Sequence, residues 1–206
     1  MLGLITDRLY IWRIEEFRER VRSKGENELW VTDLVSCPLK TKFVKQYAEL
    51  AEAAAFTPVT VWGELTHRGF EDVLKILFPP EDVVTEVEVS KSVVVEGREY
   101  FIKGRVDAMY KDIVIELKTA RSDYSIPHEH HILQVKLYLW ITGKEKGILI
   151  YITPERIAEY EVTNDLTDDN VKELVLDVIK ERKVPKYSWE CKYCPYTKVC
   201  PKKVSE

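Results

Sequence analysis

The stretch from Gly104 to Lys118 constrains the fold most, because its pattern predicts a β-hairpin. It reads GRVDAMYKDIVIELK, with apolar residues that alternate up to Lys111-Asp112 and then resume as IVIELK. Two apolar runs joined by a short polar break are typical of antiparallel strands with a tight turn. We therefore expect a sheet that contains this hairpin.

The same hairpin predicts a cluster of charged side chains on one face. Because side chains alternate between the two faces of a strand, Glu116 and Lys118 emerge together while Leu117 points the other way. Asp107 lies on the partner strand, where it can meet them across the pair. Two carboxylates and a lysine at one point are suited to holding a divalent metal ion and its attacking water. This indicates a metal-dependent hydrolase with phosphodiesters as the expected substrate.

Length and composition indicate one globular domain. The chain has 206 residues, of which 45% are hydrophobic and 32% are charged. No apolar run approaches the roughly 18 to 20 residues that span a bilayer, and charges come too early at the N-terminus for a secretory signal. We expect a cytoplasmic protein without a membrane partner.

The charge pattern is mixed. A net charge of −4 argues against a nucleic-acid partner, but this sum is a poor guide where carboxylates bind metal. Local basic stretches occur at 40–45 (KTKFVK), 181–186 (ERKVPK) and 198–203 (KVCPKK). A single cluster of this kind usually only solvates a surface. Two of these clusters flank cysteines, so a contact with DNA remains an alternative for them.

The first third of the chain has a helical pattern. Apolar spacing predicts a helix over about 7–24, a loop over 25–31 and a second helix that runs to residue 55. A third helix is predicted to begin with Thr57 as N-cap and Pro58 at its first position, where the missing N–H costs nothing.

The remainder alternates between strands and helices. Strands are predicted for VVTEVEV, SVVVEG, REYFIKGRVDAMY, IVIELKT, KGILIYIT and RIAEYEV. Helices are predicted for HEHHILQVKLYLWIT, ended by Gly143, and for DDNVKELVLDVIKERK, capped by Asp165 or Thr167. The predicted fold class is α/β, with a mixed central β-sheet flanked by helices, an N-terminal helical part and a C-terminal cysteine-rich tail.

The four cysteines fall at the two ends of the chain, at Cys37 and at Cys191, Cys194 and Cys200. The tail spacing C-x2-C-x5-C is typical of a metal chelate, and disulfides are disfavoured inside a cell. If Cys37 folds back onto the tail, four thiolates form one site that joins the two ends. Three of the cysteines precede proline, as in a common ferredoxin run, which favours iron–sulfur over zinc. Four unconnected buried thiols are the remaining alternative.

His67 is the one histidine of the third predicted helix, four residues after Gly63. A histidine in this setting is usually a capped or partly buried helical residue. The other interpretation makes it a third metal ligand beside Asp107 and Glu116, and nitrogen ligation would then favour Mn²⁺ over Mg²⁺.

A histidine cluster and a polar pair lie on the next helix. His128 and His131 share a helical face that His130 does not, and a solvated helix terminus or a phosphate contact is the expected role of the cluster. Gln134 and Tyr138 stand one turn apart. They are either structural or positioned to bond a nucleic-acid backbone or to orient the catalytic lysine.

These motifs, in this order, resemble the RecB-like branch of the PD-(D/E)xK nuclease superfamily. The patterns G-x3-H, G-x2-D, E-x-K and Q-x3-Y occur here as Gly63 to His67, Gly104 to Asp107, Glu116 to Lys118 and Gln134 to Tyr138. One cysteine before the core and three after it resemble the iron–sulfur subgroup, whose small stand-alone members are the CRISPR-associated exonucleases of the fourth Cas type. The proline of the superfamily's name is absent, with Val106 before Asp107.

The resemblance implies a role for each motif residue. The ligands of Mn²⁺ or Mg²⁺ would be His67, Asp107, Glu116 and the backbone carbonyl of Leu117. The catalytic residues would be Asp107, Glu116 and Lys118, of which Lys118 would position the attacking water or help to deprotonate it. Supporting or DNA-binding residues would be Gln134 and Tyr138. The ligands of a [4Fe–4S] cluster would be Cys37, Cys191, Cys194 and Cys200.

The resemblance also implies an organisation and a function. A single domain over 1–206 would comprise an N-terminal helical part (1–56) with the first cluster cysteine, a RecB-like nuclease core (57–184) and a cluster-binding tail (185–206). The implied function is a metal-dependent exonuclease that acts 5′→3′ on single-stranded DNA ends. It would process spacer precursors in CRISPR adaptation, together with other adaptation proteins. The alternative is a DNA-binding or adaptor subunit of a DNA-processing complex, with little independent nuclease activity.

Overall fold

A computed structural model describes residues 3–55 and 57–204. The helices are α1 (Leu4–Arg22), α2 (Val31–Leu34), α3 (Pro38–Gln46), α4 (Ala48–Ala55), α5 (Pro58–Leu77), α6 (Glu129–Thr142) and α7 (Asp168–Ile179). The strands are β1 (Glu28–Trp30), β2 (Val83–Val95), β3 (Arg98–Tyr110), β4 (Ile113–Thr119), β5 (Lys146–Ile152) and β6 (Ile157–Thr163). A 3₁₀ helix covers Ser188–Tyr193 in the tail.

The strands form one six-stranded mixed sheet around β3. Along one side, β3 pairs with the antiparallel β2 from Arg98 to Tyr110, with the pairing interrupted at Glu86 and Asp107. The other side of β3 is shared by the parallel β1 and the antiparallel β4. Beyond β4, the parallel β5 and the antiparallel β6 complete the sheet. The predicted mixed central sheet with flanking helices is therefore confirmed.

Helices cover both faces of the sheet. On one face, α6 and α7 bury the larger core, to which Ile102, Val135 and Leu149 belong. On the other face, α5 packs against a smaller cluster that includes Leu74 and Leu117. A third cluster joins α3 and α4 to the C-terminal tail. Leu117 thus lies on the face of β4 opposite to Glu116, as strand alternation predicts.

Local sequence signals set the ends of three helices, two of which carry motif residues. Thr57 accepts a hydrogen bond from the backbone N–H of Thr60 at 3.3 Å, and Pro58 opens α5, as predicted. At its other end, α6 stops at Gly143, whose φ of +70° is readily adopted by glycine. The predicted N-cap Thr167 likewise opens α7, accepting from the N–H of Asn170.

Several boundaries differ from the sequence prediction. The segment predicted as a loop over 25–31 contains β1, which is stabilised by pairing with β3 rather than by a pattern of its own. The helix predicted to run to residue 55 is broken at Tyr47 into α3 and α4. The two strands predicted before β3 form one strand, β2. Residue 56, the predicted end of the N-terminal part, and the terminal residues 1, 2, 205 and 206 lie outside the described residues.

Within the part of the chain that the structure describes, no helix is long and apolar enough to cross a membrane.

Candidate active site

The predicted hairpin opens where the polar residues begin. The registered pairing of β3 with β4 runs from Tyr110 opposite Ile113 to Ala108 opposite Ile115. Beyond that point, Asp107 Oδ2 accepts a hydrogen bond from the backbone N–H of Leu117 at 2.8 Å. The Asp107 carboxylate thus takes the place of a backbone acceptor just past the last registered pair, and it is held between the two strands.

Glu116 is the most buried charged side chain of the site, with 2% of its surface exposed. Its Oε1 accepts hydrogen bonds from Lys118 Nζ at 2.6 Å and from Gln134 Nε2 at 2.7 Å. Its Oε2 is buried and has no hydrogen-bond partner among the described residues. Most buried polar atoms in proteins are paired, so an unpaired carboxylate oxygen here calls for an explanation.

His67 completes the group from α5. Its Nδ1 lies 3.3 Å from Asp107 Oδ2, on the side of the carboxylate that faces the helix. The structure therefore brings His67, Asp107, Glu116 and Lys118 to one place, as the spacing predicts. It joins them as two pairs, His67 with Asp107 and Lys118 with Glu116.

Burial and charge together shift the pKa values of the four groups. Burial, reinforced by the charge of Asp107, raises the pKa of Glu116 to about 7 against the opposing effect of Lys118. Burial also acts to raise the pKa of Asp107, but the hydrogen bond and charge of His67 outweigh it and lower that pKa. Burial opposes the charged forms of His67 and Lys118, yet the nearby carboxylates raise both pKa values. The site favours a bound positive charge.

A second layer holds Glu116 in place. Gln134 Nε2 also lies 3.2 Å from Tyr138 Oη, and Tyr138 Oη donates to the carbonyl oxygen of Arg105 at 3.0 Å. This chain ties α6 to β3 behind the carboxylates. Gly104 makes the approach possible, because a Cβ at this position would lie 2.5 Å from the Tyr138 ring. The predicted structural role of Gln134 and Tyr138 therefore has a geometric basis.

A carboxyl group that the sequence analysis did not single out lies close to this site. Glu71 is one helical turn after His67 and is 6% exposed. Burial, together with the charges of Glu86 and Asp107, raises its pKa to about 7. Nothing in the sequence separates it from the other acidic residues of the same helix. Its burial could be seen only after folding.

The donor set fits a divalent cation. Carboxylate oxygens are the ligands that Mg²⁺ and Mn²⁺ prefer, and Glu116 Oε2 is one such oxygen without a partner. Within 3–55 and 57–204, no group of three or more His, Cys, Asp or Glu side chains stands in metal-binding geometry. The ion pairs explain this, since His67 and Lys118 already hold the two carboxylates. The role expected of the Leu117 carbonyl stays a prediction.

Comparison with known proteins assigns the family. The sequence matches the PD-(D/E)XK nuclease superfamily over residues 18–201. It is 43% identical to the CRISPR-associated exonuclease Cas4 of Saccharolobus solfataricus over 98% of this chain and 100% of that protein. The crystal structure of SSO0001 matches with a TM-score of 0.93 and 42% identity, covering 100% of both chains.

The chain belongs to the Cas4 family of PD-(D/E)XK nucleases. It is therefore a nuclease enzyme, as predicted. Nucleases of this superfamily use divalent metal ions such as Mg²⁺ or Mn²⁺, which agrees with the donor set described above.

The candidate active site of this Cas4 family member opens into a groove with a volume of about 1200 Å³. One wall is α1, and the floor includes His67, Asp107, Glu116 and Lys118. The lining of the groove carries charges of both signs; its basic members include Arg13, Arg18, Arg20, Arg22, Lys24, Lys40 and Lys45. Aromatic side chains also line the groove, at Trp12, Phe17 and Trp30.

Ion pairs tether α1 across this groove. Arg13 pairs with Glu64 of α5 at 2.9 Å, and Arg68 of α5 pairs with Glu16 of α1 at 2.8 Å. Arg18 forms two hydrogen bonds to Glu52 of α4, at 2.8 and 2.7 Å. No residue of α1 is buried. The ion pairs therefore act together with the packing of partly buried side chains such as Phe17.

The structure brings the four cysteines to one place. Cys37, Cys191, Cys194 and Cys200 line a single cavity with a volume of about 20 Å³. None is in a disulfide, and Cys37 is buried. Burial raises the pKa values of the Cys37 and Cys194 thiols. Cys37 does fold back to the tail, but no described group of thiols has metal-binding geometry.

A buried glutamate that the sequence analysis missed joins the tail to Cys37. Glu190 is 2% exposed, and its Oε1 accepts from the Cys37 backbone N–H at 2.8 Å and from Lys40 Nζ at 2.9 Å. Its Oε2 accepts from the Tyr187 backbone N–H at 3.0 Å. The contacts with Cys37 and Lys40 span 153 and 150 residues, so no local pattern could have indicated them.

The histidine cluster is partly buried rather than a solvated helix terminus, and the phosphate contact that was the other expectation stays a prediction. His131 Nδ1 lies 2.6 Å from Tyr151 Oη, and the backbone N–H of His128 donates to the same hydroxyl at 3.0 Å. Burial lowers the pKa of His131 far below its ordinary value. The ring of His130 contacts Tyr187 and Trp189 of the tail. The cluster is partly buried because the tail packs over it.

Proposed function

We propose that this nuclease is a metal-dependent exonuclease that degrades single-stranded DNA from its ends, 5′→3′, and prepares spacer precursors in CRISPR adaptation. The observation that carries the proposal is the unpartnered Glu116 Oε2, buried next to the His67–Asp107 pair. Similarity to a protein named CRISPR-associated exonuclease supports the assignment. DNA ends are then the substrate, and other CRISPR adaptation proteins are the expected partners.

The ligands proposed for Mn²⁺ or Mg²⁺ are His67, Asp107, Glu116 and the Leu117 carbonyl. The bound cation would stabilise negative charge on the phosphoryl group and lower the pKa of the attacking water. Glu116 contributes the unpaired Oε2, so the oxygen that lacks a hydrogen bond acquires a partner. Asp107 remains fixed by the Leu117 N–H.

Lys118 is proposed to position the attacking water and to assist its deprotonation. Its ammonium group is anchored 2.6 Å from Glu116 Oε1, on the face of β4 that opens into the groove. Nearby carboxylates raise its pKa, so it is charged at neutral pH and donates hydrogen bonds. Gln134 Nε2 is the second donor to Glu116 Oε1, so Oε2 is free for the cation.

The groove supports a single-stranded substrate. Proteins that bind single strands combine a basic groove with aromatic side chains on which bases stack. Here, arginines of α1 and aromatic residues such as Trp12 and Trp30 line the same groove as the carboxylates. The acidic side chains beside them limit the net attraction for a phosphate backbone.

The cofactor proposed for the tail is a [4Fe–4S] cluster bound by Cys37, Cys191, Cys194 and Cys200. The fit rests on four thiols that line one small cavity at the junction of the two chain ends. Four thiolate ligands suit both iron–sulfur clusters and zinc. A brown preparation that absorbs at about 400 nm would support the cluster, whereas a colourless preparation that contains zinc would contradict it.

The test of the nuclease proposal compares active-site variants on end-blocked DNA. Wild type, Asp107→Asn and Lys118→Met are purified without oxygen and given labelled single strands whose 5′ or 3′ end is blocked. We expect Mn²⁺-dependent loss of nucleotides from the free 5′ end, which EDTA stops. Since a bound cation stabilises the transition state by several kcal/mol, the Asp107→Asn protein should cleave at least about a hundredfold more slowly than wild type.

A matched control is Glu161→Gln, which alters an exposed carboxylate of β6 that pairs with the exposed Lys146. It should retain wild-type activity. Undiminished cleavage by Asp107→Asn contradicts the assigned site. Inactive wild type that still binds DNA supports the alternative of a DNA-binding or adaptor subunit. Cleavage from the 3′ end rejects the proposed polarity alone.

A further inference from the structure

Three aromatic rings from distant parts of the chain meet where the tail packs against α6. His130 lies in the first turn of α6, whereas Tyr187 and Trp189 belong to the tail. The ring centroids of His130 and Trp189 are 4.9 Å apart, and those of Tyr187 and Trp189 are 5.8 Å apart with planes at 14°. His130 also lies 5.8 Å from Tyr187. Each ring therefore contacts the other two.

The indole of Trp189 is exposed although it is held in place. Its exposed fraction is 40%, while His130 and Tyr187 beside it are partly buried. Its backbone is fixed by the next residue, Glu190, whose carboxylate bonds Cys37 and Tyr187. A large aromatic surface that is immobilised yet open to solvent loses little conformational entropy when it binds a planar ligand.

This group of rings is one helical turn from the candidate site. His130 precedes Gln134 by four residues on α6, which places both on one helical face, and Gln134 Nε2 donates to Glu116 Oε1 at 2.7 Å. Burial, reinforced by the charges of His128 and Lys118, lowers the pKa of His130 to about 4, so its ring is uncharged at neutral pH. Lys40, which bonds Glu190, also lines the groove of the active site. Glu190, which follows Trp189 in the tail, lines the cysteine cavity, and Lys40 lines both that cavity and the groove.

We propose that Trp189, supported by Tyr187 and His130, is a stacking site for one unpaired nucleobase of the bound strand. The proposal rests on the proposed function and extends it, since it assigns DNA binding to the cysteine-rich tail itself. Stacking on an indole accepts any base, because every base has a π-face. A base in a duplex cannot stack in this way, so the site selects single-stranded DNA.

The test varies both the protein and the DNA. Dissociation constants are measured with Ca²⁺ in place of Mn²⁺ for wild type, Trp189→Ala and Trp189→Phe on a labelled oligothymidylate. The same strand is also prepared with one abasic site at each position in turn. We expect Trp189→Ala to weaken binding about tenfold, the range that the loss of one stacked base gives. Trp189→Phe retains a ring and should bind within about threefold of wild type.

The decisive measurement is the combination of the two changes. In wild type, one abasic position should weaken binding about tenfold, and the same position should have no effect in Trp189→Ala. Trp62→Ala is the matched control, because Trp62 has the same 40% exposure but belongs to α5 and not to the tail. It should bind every strand as wild type does. Thermal unfolding of each variant separates loss of the site from loss of the fold.

Equal binding of intact and abasic strands by wild type overturns the proposal, and so does wild-type affinity of Trp189→Ala. Either result makes the rings a packing contact between the tail and α6. These binding measurements do not depend on cleavage. If the protein does not cleave DNA but one abasic position still weakens binding, only the nuclease proposal is rejected. If it degrades DNA from the 5′ end but no abasic position weakens binding, only the stacking site is rejected.

Discussion

Replacement of Glu190 by alanine should destabilise the junction between the tail and the N-terminal part. In the structure, this carboxylate is 2% exposed and accepts from two backbone N–H groups and from Lys40. Alanine leaves these donors without an acceptor. An unsatisfied buried N–H costs about 1–3 kcal/mol. The cost depends on how far water can replace the carboxylate at each donor.

The three donors differ in this respect. Cys37 is buried, so its N–H should bear a cost of about 2 kcal/mol. Tyr187 is partly exposed, and loss of the acceptor for its amide should cost about 0.5–1 kcal/mol because water reaches the N–H. The Lys40 side chain is 30% exposed and can be rehydrated, which limits its loss to about 0–1 kcal/mol. The free energy of unfolding should fall by about 3 kcal/mol in total.

The assay is urea unfolding followed by circular dichroism, combined with hydrogen exchange at the Cys37 amide. Glu190→Gln retains one acceptor oxygen and should lose about half as much free energy. Glu161→Ala, which removes an exposed partner of Lys146, should lose at most about 0.5 kcal/mol. A Glu190→Ala protein with wild-type stability and a protected Cys37 amide would refute the reasoning, because it would show that the carboxylate does not hold the tail.

Two further predictions concern Gly104 and His130. Gly104→Ala should lower the free energy of unfolding by about 1–3 kcal/mol, since its Cβ would lie 2.5 Å from the buried Tyr138 ring. Gly69→Ala, where a Cβ meets nothing within 4 Å, should instead stabilise α5 by about 0.5–1 kcal/mol, and equal effects in denaturation curves would contradict the assigned contact. The pKa of His130 is lowered by burial to about 4, so the unfolded chain takes up its proton first and stability is lost as pH falls from about 6.5 to about 4. His130→Phe should flatten the dependence of the unfolding midpoint on pH over that window; an unchanged slope would show that the ring is not buried.

The hairpin of the candidate active site could be predicted because its determinants are local. Strand alternation places Glu116 and Lys118 on one face, and the break at Lys111-Asp112 sets the turn. Thr57 and Gly143 likewise mark helix ends through hydrogen bonds and backbone angles of their own neighbourhoods. These features need no knowledge of distant residues.

Features that depend on distant partners could not be predicted in the same way. β1 exists because three residues pair with β3, about seventy positions later in the chain. Glu190 resembles any surface glutamate in the sequence, and its importance arises from burial against Cys37. The contact of His130 with Trp189 joins two segments that share no pattern. In each case, tertiary packing decides the role of a residue whose local propensity is neutral.

The tether of α1 has a consequence for how ionic strength acts on this enzyme. The Arg13–Glu64 and Arg18–Glu52 pairs that hold the helix are partly exposed, so added salt screens them, as it screens the attraction between the groove and a phosphate backbone. Salt therefore loosens the wall of the groove at the same time as it releases the strand. A salt titration of DNA affinity should then report helix opening as well as counterion release, and its slope should overstate the number of phosphates in contact.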